Sequence, residues 1–400
     1  MYKAYINSIE RMIVMKKKKV LVLLLLILFL TIIVSGCSDE ENDEVNSNTD
    51  TNSKEISSEV PTLKLGYIFT NHQTPIMVAA SKQEKLTDNG IHLEEVIEKE
   101  KYKLMEGEEH IANVDLVVSK SGSETMTLLA QNHIDIGLAS NTAFITARDQ
   151  GNPVKILAPV HTEGIGLVVN KDSEINDWEE FLAKSKENEK PMSIGYHSPT
   201  SAPLILLEAA LKNEDVNYTK DPSDVDADIL LVDLKGTSNF IPATTSNQVD
   251  AWVGPAPYPE LATVEDVGKI ILDMKHLPPE GNWHDFPCCV MGTTEDLVES
   301  NPQEIEKLLE LITAGAEYAQ NNRDEAAKIT SDFTGVSYEA AKLSTIKYTT
   351  NPSDVWIDNM DLTYQTLKNT NSLTDKLVEK SFEEASDEIF DFSFIRNTLK

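Results

Sequence analysis

From Leu63 onward the chain alternates short apolar runs of strand length with longer segments of helical periodicity, and this alternation restricts the fold to the α/β class. The series opens with Leu63-Lys64-Leu65-Gly66-Tyr67-Ile68, an alternating strand. Further strands are predicted at 115–118, 134–138, 155–159, 166–169, 192–195, 228–232, 249–253 and 289–292. Helices are predicted at 76–85, 125–131, 143–149, 178–186, 202–211, 302–321, 323–333, 338–345 and 355–368. A chain of 400 residues has room for two such domains and for sizeable cores.

Ahead of this region Lys16 to Lys19 precede an apolar run over 20–34, broken only by Thr31 and ending at Val34-Ser35-Gly36-Cys37. A secretory apolar segment runs about 7–15 residues and a membrane-spanning helix about 20, so 1–36 reads as a cleaved signal whose true start is expected at Met15. The small-residue box ending in cysteine resembles the bacterial lipobox, which implies lipidation of Cys37 and a protein anchored outside the cytoplasmic membrane. Residues 38–60 are polar and acidic with almost nothing to bury, and read with Cys37 as a disordered tether over 37–60.

Sixty-six acidic against 35 basic residues leave a formal charge of −31, and no basic stripe interrupts the pattern, which excludes a nucleic-acid partner. The net charge does not decide the sign of a ligand, because charges beyond a Debye length of about 8 Å are screened. With Cys37 lipidated only Cys288 and Cys289 remain, so the fold is no disulfide scaffold. The chain carries no Gly-x-Ser-x-Gly, His-Glu-x-x-His or nucleophile-and-base arrangement, and neither an enzyme nor a cofactor is expected.

Chemistry concentrates where strands run into helices. Thr74-Pro75 reads as an N-cap followed by proline at the first helical position, and Ser121-Gly122-Ser123-Glu124 has capping-box spacing. Ser140-Asn141-Thr142 and Ser198-Pro199-Thr200-Ser201 also follow strands and open helices. Helix starts carry unpaired N–H groups and partial positive charge, and in open α/β sheets ligands bind at the strand C-termini.

In order along the chain, Leu65-Gly66-Tyr67 with Thr74-Pro75-Ile76, then Leu128-Leu129-Ala130-Gln131-Asn132-His133-Ile134-Asp135-Ile136-Gly137, are followed by Gly151-Asn152-Pro153-Val154-Lys155 and Gly164-Ile165-Gly166-Leu167-Val168-Val169. Next come Ile175-Asn176-Asp177-Trp178, Ile194-Gly195-Tyr196-His197-Ser198 and Gln248-Val249-Asp250-Ala251-Trp252-Val253-Gly254-Pro255. This succession resembles the substrate-binding lipoproteins of ABC importers for nitrate, sulfonates, taurine and bicarbonate, relatives of the thiamine-pyrimidine-precursor binders; Asn132 stands where that family has glycine. The resemblance implies a type II periplasmic-binding fold: a first lobe from 61–164 and 285–400, a second from 165–284, and two crossover segments. It also implies a monomer that captures a small polar or anionic solute between the lobes and delivers it to a membrane permease.

By position, ligand-binding candidates are Asn71, His72 and Gln73 after the first strand, and Gly122 and Ser123 at the second junction. Ser140, Asn141 and Thr142 form the third, and His197, Ser198 and Thr200 come from the second lobe. Glu163 lies at the crossover, where it faces solvent or pairs with an amine; Pro255 and Tyr258 lie near the return. Apart from Lys120 no cationic clamp is evident, which counts against a bidentate oxyanion site. Cys288 and Cys289 read as buried thiols, a vicinal disulfide or metal ligands, although alternation in a strand points neighbouring side chains to opposite faces. A zinc site drawing on His72, His197, Glu163 and Cys288, with His161 also within reach of the cleft, is the alternative. An echo of a cysteine-bearing pyrimidine-precursor synthase is weaker. His92, His110 and His276 read as surface residues.

Overall fold

The computed structural model describes residues 60–187 and 190–399; the signal segment, the tether and Cys37 lie outside them. The strands are β1 (Thr62–Ile68), β2 (Ile91–Ile97), β3 (Lys101–Glu106), β4 (Glu109–Ser119), β5 (Ile136–Ser140), β6 (Val154–Pro159), β7 (His161–Thr162) and β8 (Ile165–Asn170). They continue with β9 (Met192–Tyr196), β10 (Tyr218–Thr219), β11 (Ile229–Asp233), β12 (Ala251–Pro255), β13 (Gly268–Asp273), β14 (Cys289–Thr294) and β15 (Lys347–Tyr348).

Two large sheets form. One has the order β2-β3-β4-β1-β5-β14-β6, the other β10-β11-β9-β12-β8-β13, and β15 pairs with β7, which lies between β6 and β8 in sequence. Each sheet has a parallel middle with one strand inserted against it at the cleft side, and in the first sheet β3 also runs antiparallel between β2 and β4. In the first, β4, β1 and β5 are parallel and β14 runs antiparallel beside β5, with Cys289 opposite Ser140. In the second, β11, β9 and β12 are parallel and β8 runs antiparallel beside β12, with Ile165 opposite Pro255. The inserted strands therefore begin at the edge where the parallel strands end. That edge receives the crossovers 160–164 and 285–288.

The strands that cross the cores are mostly apolar: β5, Ile136–Ser140, is buried at every position, as is β12. Helices on both faces complete the layers. Helix Thr74–Lys82 packs under helix Pro302–Asn321, whose Leu308, Leu309, Leu311 and Ile312 enter the same cluster as Leu65, Ile76 and Met77. Helix Asp354–Asn369 packs Trp356, Met360 and Tyr364 against Phe144 of the first sheet's helices and also against Ile205 of helix Ala202–Asn213. The chain's end thus touches elements of both sheets.

The first seven of the nine predicted helices lie at their expected places, and so do helices Tyr338–Leu343 and Asp354–Asn369. β2, β3 and β13, and the two-residue β7, β10 and β15, are not among the predicted strands. On β2 and β3 Glu94, Glu95 and Lys101 face water at an edge, which hides the apolar alternation. His92, expected at the surface, is buried in β2: its Nδ1 lies 3.0 Å from the Gly90 carbonyl and its Nε2 3.7 Å from Glu84. His110 is half-buried and His276 exposed.

Gly315 in the middle of helix Pro302–Asn321 lets it approach helix Thr74–Lys82, for a Cβ there would stand 2.2 Å from the Pro75 carbonyl oxygen. Gly315→Ala should therefore destabilise the protein by about 1–3 kcal/mol, read as a lower urea midpoint at unchanged slope.

Candidate functional site

The loop after β1 turns through a single 3₁₀ turn, Asn71–Gln73, before helix Thr74–Lys82. Thr74 is therefore not the N-cap: Gln73 holds that position without a side-chain cap, and the Thr74 hydroxyl donates to the Asn71 carbonyl at 2.8 Å. The extra turn buries Asn71, His72 and Gln73 at the strand edge. Ser121 caps helix Gly122–Ala130 and Ser140 caps helix Asn141–Asp149, each accepting from the backbone three residues on.

These junctions meet the second lobe across a seam. Ser123 Oγ lies 2.7 Å from Ser198 Oγ and 2.9 Å from Thr200 Oγ1. The Ser140 and Thr142 hydroxyls both donate to the Thr200 carbonyl, at 3.2 and 2.6 Å. Tyr258 donates to the Phe69 carbonyl at 3.3 Å. The two halves are hydrogen-bonded to each other, a closed arrangement.

Behind the seam lies a cavity of about 30 Å³, bounded by Thr70, His72, Gln73, Gly122, Ser140, His197, Ser201, Thr237, Pro255, Cys288 and Cys289 with Ile68, Ala202 and Pro203. Eight candidates from the sequence line it: His72, Gln73, Gly122, Ser140, His197, Pro255, Cys288 and Cys289. Ser123, Ser198, Thr142 and Thr200 form the seam instead. Asn71 and Asn141 turn away from the cavity, donating to the Ala341 and Pro287 carbonyls at 2.8 and 2.6 Å. Thr70, Ser201 and Thr237 went unread. Ser201 was legible as a helix opener, but Thr237 follows a strand by way of Gly236 and carries no local signal.

Glu163 is corrected outright. It is buried, not solvated, and it does not face the cavity: Lys275 and Lys347 stand 3.4 and 3.0 Å from its carboxylate, and the Asp285 N–H donates to it at 3.0 Å. It ties the first crossover to the second and to β15. The cysteines also depart from expectation. Only Cys289 belongs to β14, while Cys288 sits in the irregular segment after Pro287, so strand alternation does not separate them. Both are free and buried, and their sulfurs lie 3.5 and 3.6 Å from the same atom, His72 Nδ1. His161, on β7, comes in from the first crossover with its Nε2 accepting from the Cys289 N–H at 3.3 Å. Gly164 adopts φ +76°, where a Cβ would strike Ile346, and its carbonyl faces His72 Nε2 at 2.8 Å.

Burial dominates the electrostatics. It lowers the pKa of His161, and lowers that of His197 to about 4, so both rings are neutral near pH 7. Burial pushes the Cys288 thiol up. For Cys289 burial acts in the same sense, but its polar neighbours, foremost the hydrogen bond from the Cys288 thiol, together outweigh it and hold the Cys289 thiol well below its usual value. Glu260, beside the cleft on helix Tyr258–Val264, is pushed up to about 7 by burial, and its Oε2 has no hydrogen-bond partner. Among the described residues no lysine or arginine lines the cavity. What the walls offer is hydroxyls, two helix N-termini at Gly122 and Ala202, imidazole rings and sulfur.

A family model described as the NMT1-like family matches residues 57–331. An uncharacterized protein of Methanocaldococcus jannaschii is 35% identical over 116 residues, which cover 28% of this chain and 80% of the other. Among solved structures, a zinc-bound ligand-binding component of an ABC-type import system from Staphylococcus aureus superposes with a TM-score of 0.65 at 14% identity, over 84% of this chain and 99% of that one. The periplasmic nitrate-binding protein of Synechocystis PCC 6803 gives 0.64 at 16%, over 85% and 88%. The alkanesulfonate-binding protein of Xanthomonas axonopodis pv. citri, bound to MOPS, gives 0.59 at 12%, over 84% and 100%. The fold is that of the periplasmic binding proteins.

The seam predicts its own weakening. Ser123→Ala with Thr142→Val removes three of the five hydroxyl bonds described, each worth about 0.5–1.5 kcal/mol, and should raise the open population. Small-angle scattering should report a larger radius of gyration than for the parent. Glu260 makes a pH prediction. With its folded pKa raised above the unfolded value, the fold binds more protons than the unfolded chain between about pH 4.5 and 7, and stability falls as pH rises through that window. Glu260→Gln should flatten that decline in urea titrations at pH 5 and 8.

Proposed function

Because the chain belongs to the NMT1-like family, matched over residues 57–331, we propose that it is the solute-binding component of an ABC importer. It closes two lobes over a small polar or anionic solute and presents it to a membrane permease. The observation that carries this reading is the cavity at the joined C-terminal edges of both sheets, with hydroxyl bonds running from one lobe to the other across its mouth. Residues from both lobes line it, so a ligand there stabilises the closed form by its differential affinity for the two states. The structural neighbours' solutes, nitrate and an alkanesulfonate buffer, support the anionic class.

Neutral donors can hold an oxyanion here: the N-termini at Gly122 and Ala202 lend partial positive charge, Thr237 lends a hydroxyl, and Ser140 and Ser201 lend theirs once they release the Thr200 and Ser198 carbonyls. The size of the cavity favours the smallest members of the class. Pockets for drug-sized ligands run about 300–1,000 Å³, so a solute of that size obliges the lobes to part. The reading extends to the N-terminus: Cys37, lipidated, would anchor the protein on the outer face of the membrane, with 38–60 as tether, no nucleic-acid partner and no catalytic role.

Thermal unfolding against nitrate, bicarbonate, taurine and alkanesulfonates tests this. A ligand at a hundred times its dissociation constant adds about 2.7 kcal/mol, an easily read rise in melting temperature. His197→Ala with Ser198→Ala should abolish most of that rise while leaving the far-ultraviolet circular dichroism unchanged. No shift with any solute would overturn the reading.

A further inference from the structure

We propose that His72, Cys288 and Cys289, joined by His161 once its Nε2 gives up the hydrogen bond from the Cys289 N–H, form a binding site for one thiophilic metal ion, of the Zn²⁺ or Cu⁺ kind, in the wall of the cleft. The four residues are buried, and one ligand atom from each lies within 4.8 Å of the others. Around a tetrahedral ion with sulfur at about 2.3 Å and imidazole nitrogen at about 2.0–2.1 Å, sulfur and nitrogen ligands stand about 3.5 Å apart. The two sulfurs lie 3.5 and 3.6 Å from His72 Nδ1.

The surroundings orient the ligands. A carbonyl can only accept, so the Gly164 oxygen 2.8 Å from His72 Nε2 places the ring proton there and leaves the Nδ1 lone pair facing the sulfurs. The Gln73 amide donates to Cys289 Sγ at 3.5 Å, the kind of contact that steadies a thiolate. A second observation points the same way. His197, 7% exposed on the opposite lobe, lines the same cavity with an Nδ1 that has no hydrogen-bond partner. Two thiols in an apolar core need neither imidazoles nor an amide beside them.

The donor types select the ion. Glu163 is occupied by Lys275 and Lys347, which leaves two sulfurs and two imidazoles and no carboxylate. That set suits zinc or cuprous copper and not calcium or magnesium. The ligands arrive on the loop after β1 and on both crossovers, so the ion would tie the two crossovers to the first lobe. Binding displaces the thiol protons to solvent and leaves the sulfurs as thiolates. The inference goes beyond the importer reading, because the site is complete whatever solute the cleft takes.

The full chain, kept reduced, is loaded with ZnCl₂ or anaerobically with Cu⁺, desalted and assayed for metal. One ion per chain is expected, the two loadings deciding which ion is preferred. Cys288→Ser with Cys289→Ser, and separately His72→Gln, should weaken retention at least about tenfold. Cobalt loaded in place of zinc should give a thiolate-to-metal charge-transfer absorption that the cysteine variant lacks, with circular dichroism confirming that the variant is folded. Retention of neither ion, or retention unaffected by all these variants, would overturn the proposal. Nitrate and the sulfonates are then titrated into metal-free and loaded protein. A thermal shift in metal-free protein that retains no ion would sink the metal site and leave the importer reading standing. Stoichiometric metal with no solute shift in either form would do the reverse.

Discussion

The cleft depends on one topological constraint, the antiparallel insertion of a single strand into an otherwise parallel neighbourhood in each sheet. Because β14 runs against β5, its first residue, Cys289, stands at the edge where β1, β4 and β5 end. Because β8 runs against β12, Ile165 stands where β12 ends at Pro255. The crossovers feeding these strands are thereby delivered to the edges that carry the helix N-termini. Reverse either strand and His161, Cys288 and Cys289 leave the cleft.

The crossovers are held by interactions unlike those of the seam. Glu163, a buried carboxylate met by the partly exposed Lys275 and Lys347 and by a backbone donor, joins 160–164 to 285–288 and β15. Removing one partner of such a group leaves a buried charge uncompensated, which makes the link costly to break. The seam consists of serine and threonine hydroxyls, each worth little alone and each able to exchange its partner for water. Strong bonds sit at the hinge and weak ones at the mouth. That distribution suits a molecule that opens and closes without losing its register.

Much of the site was legible because capping chemistry is local. Ser121 and Ser140 cap the helices their spacing indicated, and Gly122, Ser140 and His197 line the cavity as their strand-end positions implied. Errors arose where a neighbour distant in sequence decides. Thr74 lost its capping role to a 3₁₀ turn whose carbonyl at Asn71 also accepts from Tyr348, some 277 residues away. Glu163 found lysines 112 and 184 positions on. Nothing local announces such partners.

The amino-acid sequence by itself determined the α/β class, the order of the elements and the placing of polar caps at strand ends, since periodicity and capping act over a few residues. It also carried the cationic, apolar and small-residue succession ending at Cys37. Tertiary structure alone decided which caps face the cavity and which seal its mouth, because that depends on how two sheets meet. It also decided that both cysteines approach His72 from one side. Alternation separates neighbouring side chains only inside a strand, and Cys288 lies just before one begins.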